Sequence, residues 1–273
     1  MKKATLLIVF FISIFFTSCE EVVNVDLDTA PPKLVIEAAI NWQKGTTGKE
    51  QTIKLTTTTG YFENTIPAVS SAIVYIENSH NEKFNFIEVK KTGRYVCINF
   101  KPVIDEQYRL TVISRGNRYN ATETLKSVAP ITRIEQNNEG GITGTDIELR
   151  AFYNDPGDAD NYYLYKYLYS NKVTSTFYVD EDKFFQGNEF FSKSDDQDLK
   201  IGNTIEITHF GISKQYYNYM TILVSIAGSN VGGPFQTPPA TVKGNIINVT
   251  NKDNYPLGYF SLCETDTKKY KIE

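Results

Sequence analysis

The chain has 273 residues, 41% hydrophobic and 22% charged, an ordinary globular composition with enough length for one large domain or two moderate ones. Its formal net charge is −4, and since Lys2 and Lys3 are two of the 28 basic residues, the rest carries 26 against 32 acidic groups. A mildly acidic body lacks the basic footprint of sequence-independent nucleic-acid binding. Aromatics are 13%, with 18 Tyr and 17 Phe against one Trp, and together with many Thr, Val and Ile they favour strands over helices.

Residues 1–3 are a short positive segment, and 4–16 (ATLLIVFFISIFF) are unbroken apolar sequence. A bilayer-crossing helix needs about 20 apolar residues. This run stops well short, with Glu20 and Glu21 close behind, so residues 1–18 read as a signal peptide rather than a span. Phe16-Thr17-Ser18-Cys19 resembles the bacterial lipobox, which implies cleavage before Cys19 and acylation of its thiol. Several acyl chains, at about 0.8 kcal/mol per buried methylene, make a stable anchor. An ordinary secretory signal with an incidental cysteine is the other reading. Glu20 and Glu21, followed by Asp26 and Asp28, are similar to the export signal of surface lipoproteins in Bacteroidetes-type bacteria; they equally suit a solvated tether. Residues 19–33 read as that tether, its end stiffened by Pro31 and Pro32.

Short β-type runs follow at 34–40, 52–58, 72–77, 83–89, 94–100, 108–114 and 119–124, broken by Gly45, Gly48, Gly60, Pro67, Gly93 and Gly116. Seven short strands without helical periodicity predict an Ig-like antiparallel β-sandwich over 34–129. Tyr108, opening a late strand three residues after Asp105, has the pattern of a tyrosine corner. Arg115-Gly116-Asn117-Arg118 predicts a tight hairpin. Ala129-Pro130 is expected to close this domain.

Residues 130–273 predict a second β-rich domain with one amphipathic helix. Strands are expected at 131–135, 146–153, 162–169, 204–210, 245–249 and 259–263. The helix is expected over 213–227, with Ser213 as N-cap and Gly228 as stop. In 162–169 (YYLYKYLY), Tyr163, Tyr165, Tyr167 and Tyr169 share one face of a strand. Tyr is amphipathic and serves both cores and binding surfaces, so the stripe is either packing beneath a sheet or a platform for a ligand.

Catalytic signatures are sparse. The two histidines, His80 and His209, stand far apart, and no zinc-type spacing, nucleophile elbow or phosphate loop is present. Asp155, Asp158 and Asp160 could chelate calcium through oxygens, but they lack EF-hand spacing and are also ordinary turn residues. Cys97 and Cys263, the cysteines besides Cys19, read either as buried thiols or as a disulfide. No catalytic residue, metal site or cofactor is expected.

Several short segments recur in order: Cys19-Glu20 with Val25-Asp26-Leu27-Asp28, Pro32-Lys33-Leu34-Val35-Ile36-Glu37, Tyr153-Asn154-Asp155-Pro156 leading to Asn161-Tyr162-Tyr163, Gly233-Pro234-Phe235 with Pro238-Pro239, Gly244-Asn245-Ile246, and Pro256-Leu257-Gly258-Tyr259-Phe260. In these the chain resembles the DUF4249 lipoproteins of Bacteroidetes-type bacteria over nearly its whole length, with residues 180–199 as an insertion. The resemblance implies a cell-surface outer-membrane lipoprotein, accessory to a TonB-dependent transporter or capturing its ligand. The expectation is therefore a non-enzymatic surface lipoprotein, held to the membrane by its N-terminal lipid and not binding nucleic acid. Its expected contacts are the Tyr stripe, Phe235 and Tyr259. A structural or adhesive module, and a carboxylate-based enzyme acting on glycans, are the alternatives.

Overall fold

Alternation of apolar and polar residues sets the strands of the first half, as in β4 (Lys83–Glu88), where Phe84 and Phe86 turn inward and Lys83 and Asn85 outward. The computed structural model describes residues 31–60, 63–141, 144–194, 196–228 and 242–273. With β4 run β1 (Leu34–Gln43), β2 (Gln51–Thr57), β3 (Ile73–Asn78), β5 (Arg94–Cys97), β6 (Gln107–Ser114) and β7 (Asn117–Thr124). Pairing orders them β1-β2-β5 and β4-β3-β6-β7. The end of β4 crosses over to β5, Ile87 lying opposite Val96. Ile36, Ile40, Leu55, Phe84, Phe100, Leu110 and Val112 fill the space between these layers.

The tyrosine corner forms as its sequence pattern implies. Tyr108 is fully buried; its hydroxyl donates to Lys101 O at 2.7 Å and accepts from Val103 N at 3.0 Å. The β6–β7 hairpin differs by one residue from expectation. Ser114 lies opposite Asn117, so the turn pair is Arg115-Gly116, with φ of 48° and 76°. Two positive φ values define the turn whose twist matches a hairpin.

The second half contains β8 (Ile131–Gly140), β9 (Asp146–Asn154), β10 (Tyr162–Tyr169), β11 (Thr176–Glu181), β12 (Glu189–Ser194) and β13 (Thr204–Ile212). Helix α1 (Lys214–Gly228), the two-residue strand β14 (Ile247–Asn248) and the long β15 (Leu257–Lys271) complete it. The strands order as β8-β9-β12 and β11-β10-β13-β15. With β15 counted as the seventh strand of its set, this is the order of the first sandwich repeated. Helix α1 and β14 are inserted between the sixth and seventh strands. Residues 180–199 are thus part of the scaffold, because they carry β12, the fifth strand of the repeat.

The expected boundary at 129/130 does not divide the structure, and residues 32–273 form one compact unit. Strand β15 is the reason. From Leu257 to Thr265 it pairs in parallel with β1, and from Thr265 to Lys271 antiparallel with β13, so one sheet runs through both sandwiches. Ile246, Phe260 and Leu262 return to the first core, and β14 pairs with β7. The link between the sandwiches is tied to the same strand. Glu264 accepts from Val128 N at 3.0 Å and pairs with Lys44 at 3.0 Å, and Asp266 accepts from Ile131 N at 2.8 Å.

Glu264 is buried, so replacing it with Leu leaves the Val128 N–H without its acceptor. Chemical denaturation is expected to show a loss of about 1–3 kcal/mol, largely recovered in Glu264→Gln, whose amide oxygen still accepts.

Candidate functional site

The tyrosine stripe on β10 belongs to a core. Tyr163, Tyr165, Tyr167 and Tyr169 are buried and pack with Leu149, Tyr153, Ile205 and Ile207. Their hydroxyls are consumed across the two layers, as buried phenols require. Tyr165 meets Tyr153 at 2.6 Å, Tyr167 donates to Ser192 at 2.6 Å, Tyr169 meets Ser194 at 3.0 Å, and Tyr163 donates to Asp155. The platform reading of these four residues is therefore corrected: their polar ends knit the second sandwich together and present nothing to a ligand.

Buried among them is a serine–histidine contact, Ser192 Oγ to His209 Nε2 at 2.7 Å. It has the spacing of a nucleophile and its base, but both residues are buried and, among the described residues, His209 Nδ1 has no hydrogen-bond partner. A catalytic histidine needs that nitrogen oriented by a third group. Burial pushes the His209 pKa down to about 3, so the ring is neutral and structural. His80 is exposed in a turn, 3.6 Å from Glu106.

Asp155 spends its oxygens on Tyr163 and on Gly187 N at 2.8 Å, and burial raises its pKa. Asp182 accepts from Asn161 N at 2.7 Å. These carboxylates fasten loops, and among the described residues no group of three or more His, Cys, Asp or Glu could hold a metal ion. Cys97 and Cys263 are separate, buried free thiols; burial raises both pKa values, so neither is a reactive thiolate.

The open feature lies on the opposite face of β10. Because strand residues alternate, Leu164 and Lys166 point away from the tyrosine core. They join Phe177 of β11, Phe210 of β13, Tyr259 and Cys263 of β15, and Glu37, Ala39 and Asn41 of β1 in the floor of a groove. Helix α1 is its wall, contributing Tyr216, Tyr219, Met220, Leu223, Val224 and Ala227. The groove holds about 850 Å³, within the usual range of small-molecule sites, about 300–1,000 Å³.

The helix is fixed at its start. Ser213 caps it, accepting from Tyr216 N at 3.1 Å, and donates to buried Glu123 at 3.0 Å. Tyr259 also reaches Glu123, at 3.4 Å. Desolvation raises the Glu123 pKa, and through this carboxyl β7, β15 and the helix cap meet. Tyr259 is the one expected contact residue that the structure places at the groove. Phe235, Cys19, Glu20 and Glu21 lie outside the described residues. Lys166, Phe177 and Phe210 were not singled out from sequence, although the alternation that buries the tyrosines also assigns Leu164 and Lys166 to the other face.

Among the described residues, no helix is long and apolar enough to cross a membrane. The model of a domain of unknown function, DUF4249, matches residues 20–269. No curated protein matches the chain. Similar solved structures include a two-domain fibronectin type-III segment of chicken tenascin, with 11% identity over 66% of this chain and 90% of that one, at a TM-score of 0.22. The FN1–FN3 domains of chicken CNTN1 match with 13% identity over 67% of this chain and 60% of theirs, at 0.26. A DUF4785 protein from Legionella pneumophila matches with 8% identity over 65% and 52%, at 0.27. These superpositions are loose, and the strand order by itself defines the fold.

The buried histidine makes a pH prediction. Its folded pKa of about 3 lies below the unfolded value of about 6.5, so unfolding takes up a proton between those pH values. Its contribution to stability is whole above about pH 6.5 and falls with acidification by up to about 1.4 kcal/mol per pH unit. Urea titrations from neutral pH to pH 4 are expected to show a shallower acid loss in His209→Asn than in the parent chain.

Proposed function

The chain belongs to the DUF4249 family, and from its helix-walled groove we propose a non-enzymatic outer-membrane lipoprotein that captures a small, largely apolar ligand. In this reading Cys19 carries the lipid, Glu20 and Glu21 direct the protein to the cell surface, and the captured ligand passes to a TonB-dependent receptor. The groove carries the reading, because it sets a large, mainly apolar lining on a sheet floor. Removing apolar surface from water supplies about 25 cal/mol per Å², which needs no catalytic group.

The distribution of polar groups supports binding over turnover. Buried Glu123, Asp155, Asp182, Glu264 and Asp266 all accept structural hydrogen bonds, and Glu148 pairs with Arg150 at 2.6 Å. A glycan-cleaving pair needs two carboxyl groups facing a substrate cleft. A spacer or adhesive role is the second reading, favoured by the two like-ordered sandwiches sharing one sheet; such modules serve without a small ligand.

Two measurements test the proposal. Nile red, a neutral apolar dye, is expected to bind the purified chain saturably, with affinity about tenfold weaker in Leu223→Arg, which places a charge on the groove wall. Non-saturable uptake, or uptake unchanged by the substitution, would count against capture. For the anchor, Cys19→Ala is expected to leave the outer-membrane fraction and accumulate unprocessed; an unchanged membrane fraction of this variant would sink the lipidation assignment.

A further inference from the structure

Building on the capture reading above, we propose that the groove takes an anionic amphiphile, an acyl chain with a carboxylate head, and that Lys166 receives the head. The observation behind this is one cation placed among apolar walls without a counter-ion. Lys166 is half-buried at the centre of β10, directly opposite Phe177 on β11 and Thr208 on β13. Among the described residues it forms no ion pair.

Of the carboxylates on the same sheet face, Glu181 stands four residues beyond Phe177 on β11, opposite Tyr162 rather than Lys166, and the other two are paired. Glu37, at the β1 side of the groove, pairs with Lys54 at 3.2 Å. Glu206, two residues before Thr208, pairs with Lys269 at 3.3 Å. Thr208, the cross-strand neighbour of Lys166, is hydrogen-bonded to Thr267 at 3.1 Å. From the helix side the facing groups are Tyr216, Tyr219, Met220, Leu223, Val224 and Ala227, none of which is an anion at neutral pH. An unpaired ammonium at the edge of an apolar groove favours an incoming anion, because the pair makes a charge-assisted hydrogen bond while the tail is removed from water.

The remainder of the groove specifies the tail. From Lys166 the floor continues through Leu164 and Phe210 to Cys263 and Tyr259, with Met220 and Leu223 above. That is an apolar path leading away from one polar end, which suits an elongated chain better than a compact polar solute. A sugar or amino acid would need convergent hydrogen-bonding groups, and the polar lining is divided instead: Ser175 and Thr176 lie next to Phe177 at the Lys166 end, while Glu37 and Asn41 lie on β1, on the other side of β13 and β15.

Palmitate and cetyl alcohol share a tail and differ in the head, so calorimetric titration of the purified chain with each separates the head from the groove. Palmitate is expected to bind about tenfold or more tightly than the alcohol. Lys166→Met should abolish the preference for palmitate over the alcohol, and Lys166→Arg should restore it. Equal affinity for both ligands, or a preference that survives Lys166→Met, would overturn the assignment of the head to Lys166 and leave groove capture standing. Nile red taken up saturably with no binding of either amphiphile would overturn the ligand class alone. Failure of all three probes would remove the capture reading as well. Circular dichroism and thermal melting of each variant confirm that a lost preference is not lost folding.

Discussion

Strand β15 is the constraint on which the rest of the structure depends. Its first part lies parallel to β1 and its second part antiparallel to β13, so one segment closes two sandwiches at once. Parallel neighbours need a long connection, and here almost the whole chain separates β1 from β15. The strand's inner side chains, Phe260 and Leu262, enter the first core. Its carboxylates, Glu264 and Asp266, hold the link between the sandwiches. Gly258, at φ 96°, permits the close start of this pairing, since a Cβ there would lie 2.1 Å from Ile36 O. Neither half of the chain is complete without the last strand.

Local patterns were legible in sequence, and non-local ones were not. The strands of the first sandwich, the tyrosine corner at Tyr108 and the Ser213 cap follow from alternation, turn residues and side-chain chemistry within a few positions. Ala129-Pro130 does lie between the strands of the two sandwiches, but no local pattern shows that β15 joins them into one compact unit. Strand β15 extends beyond the expected 259–263 at both ends, and Glu264, Thr265, Asp266 and Thr267 offer no apolar alternation to mark its continuation. In the structure these side chains meet backbone N–H groups, a neighbouring hydroxyl and a lysine, contacts that no local pattern contains.

The tyrosine stripe shows the same limit in one strand. Alternation correctly put Tyr163, Tyr165, Tyr167 and Tyr169 on a shared face, but it could not say which face was covered. Ser192, Ser194 and Asp155 decide this, because they supply partners for the phenolic hydroxyls inside the sandwich. A face of phenols buried without such partners would be costly, each unmade hydrogen bond losing about 1–3 kcal/mol. With partners provided, the tyrosines contribute their large apolar area as well. On the other face of β10, Leu164 packs with Phe210, Met220 and Cys263 beneath the helix, and Lys166 is half-buried at the edge of the groove.

The groove follows from where the repeat is interrupted. In the first sandwich the sixth and seventh strands join by a two-residue turn at Arg115-Gly116. In the second, the corresponding step from β13 to β15 carries α1 and β14. Both ends of that insertion are fixed, one by Ser213 on Glu123 and the other by the entry to β15 beside β1. A helix held in this way must lie over the outer face of the joined sheet. The helix packs on that face through Met220 against Leu164, Phe210 and Cys263, and the groove runs beside this contact. The same insertion that makes the second sandwich look irregular in sequence therefore gives it a helical wall above a sheet floor, and with them the groove.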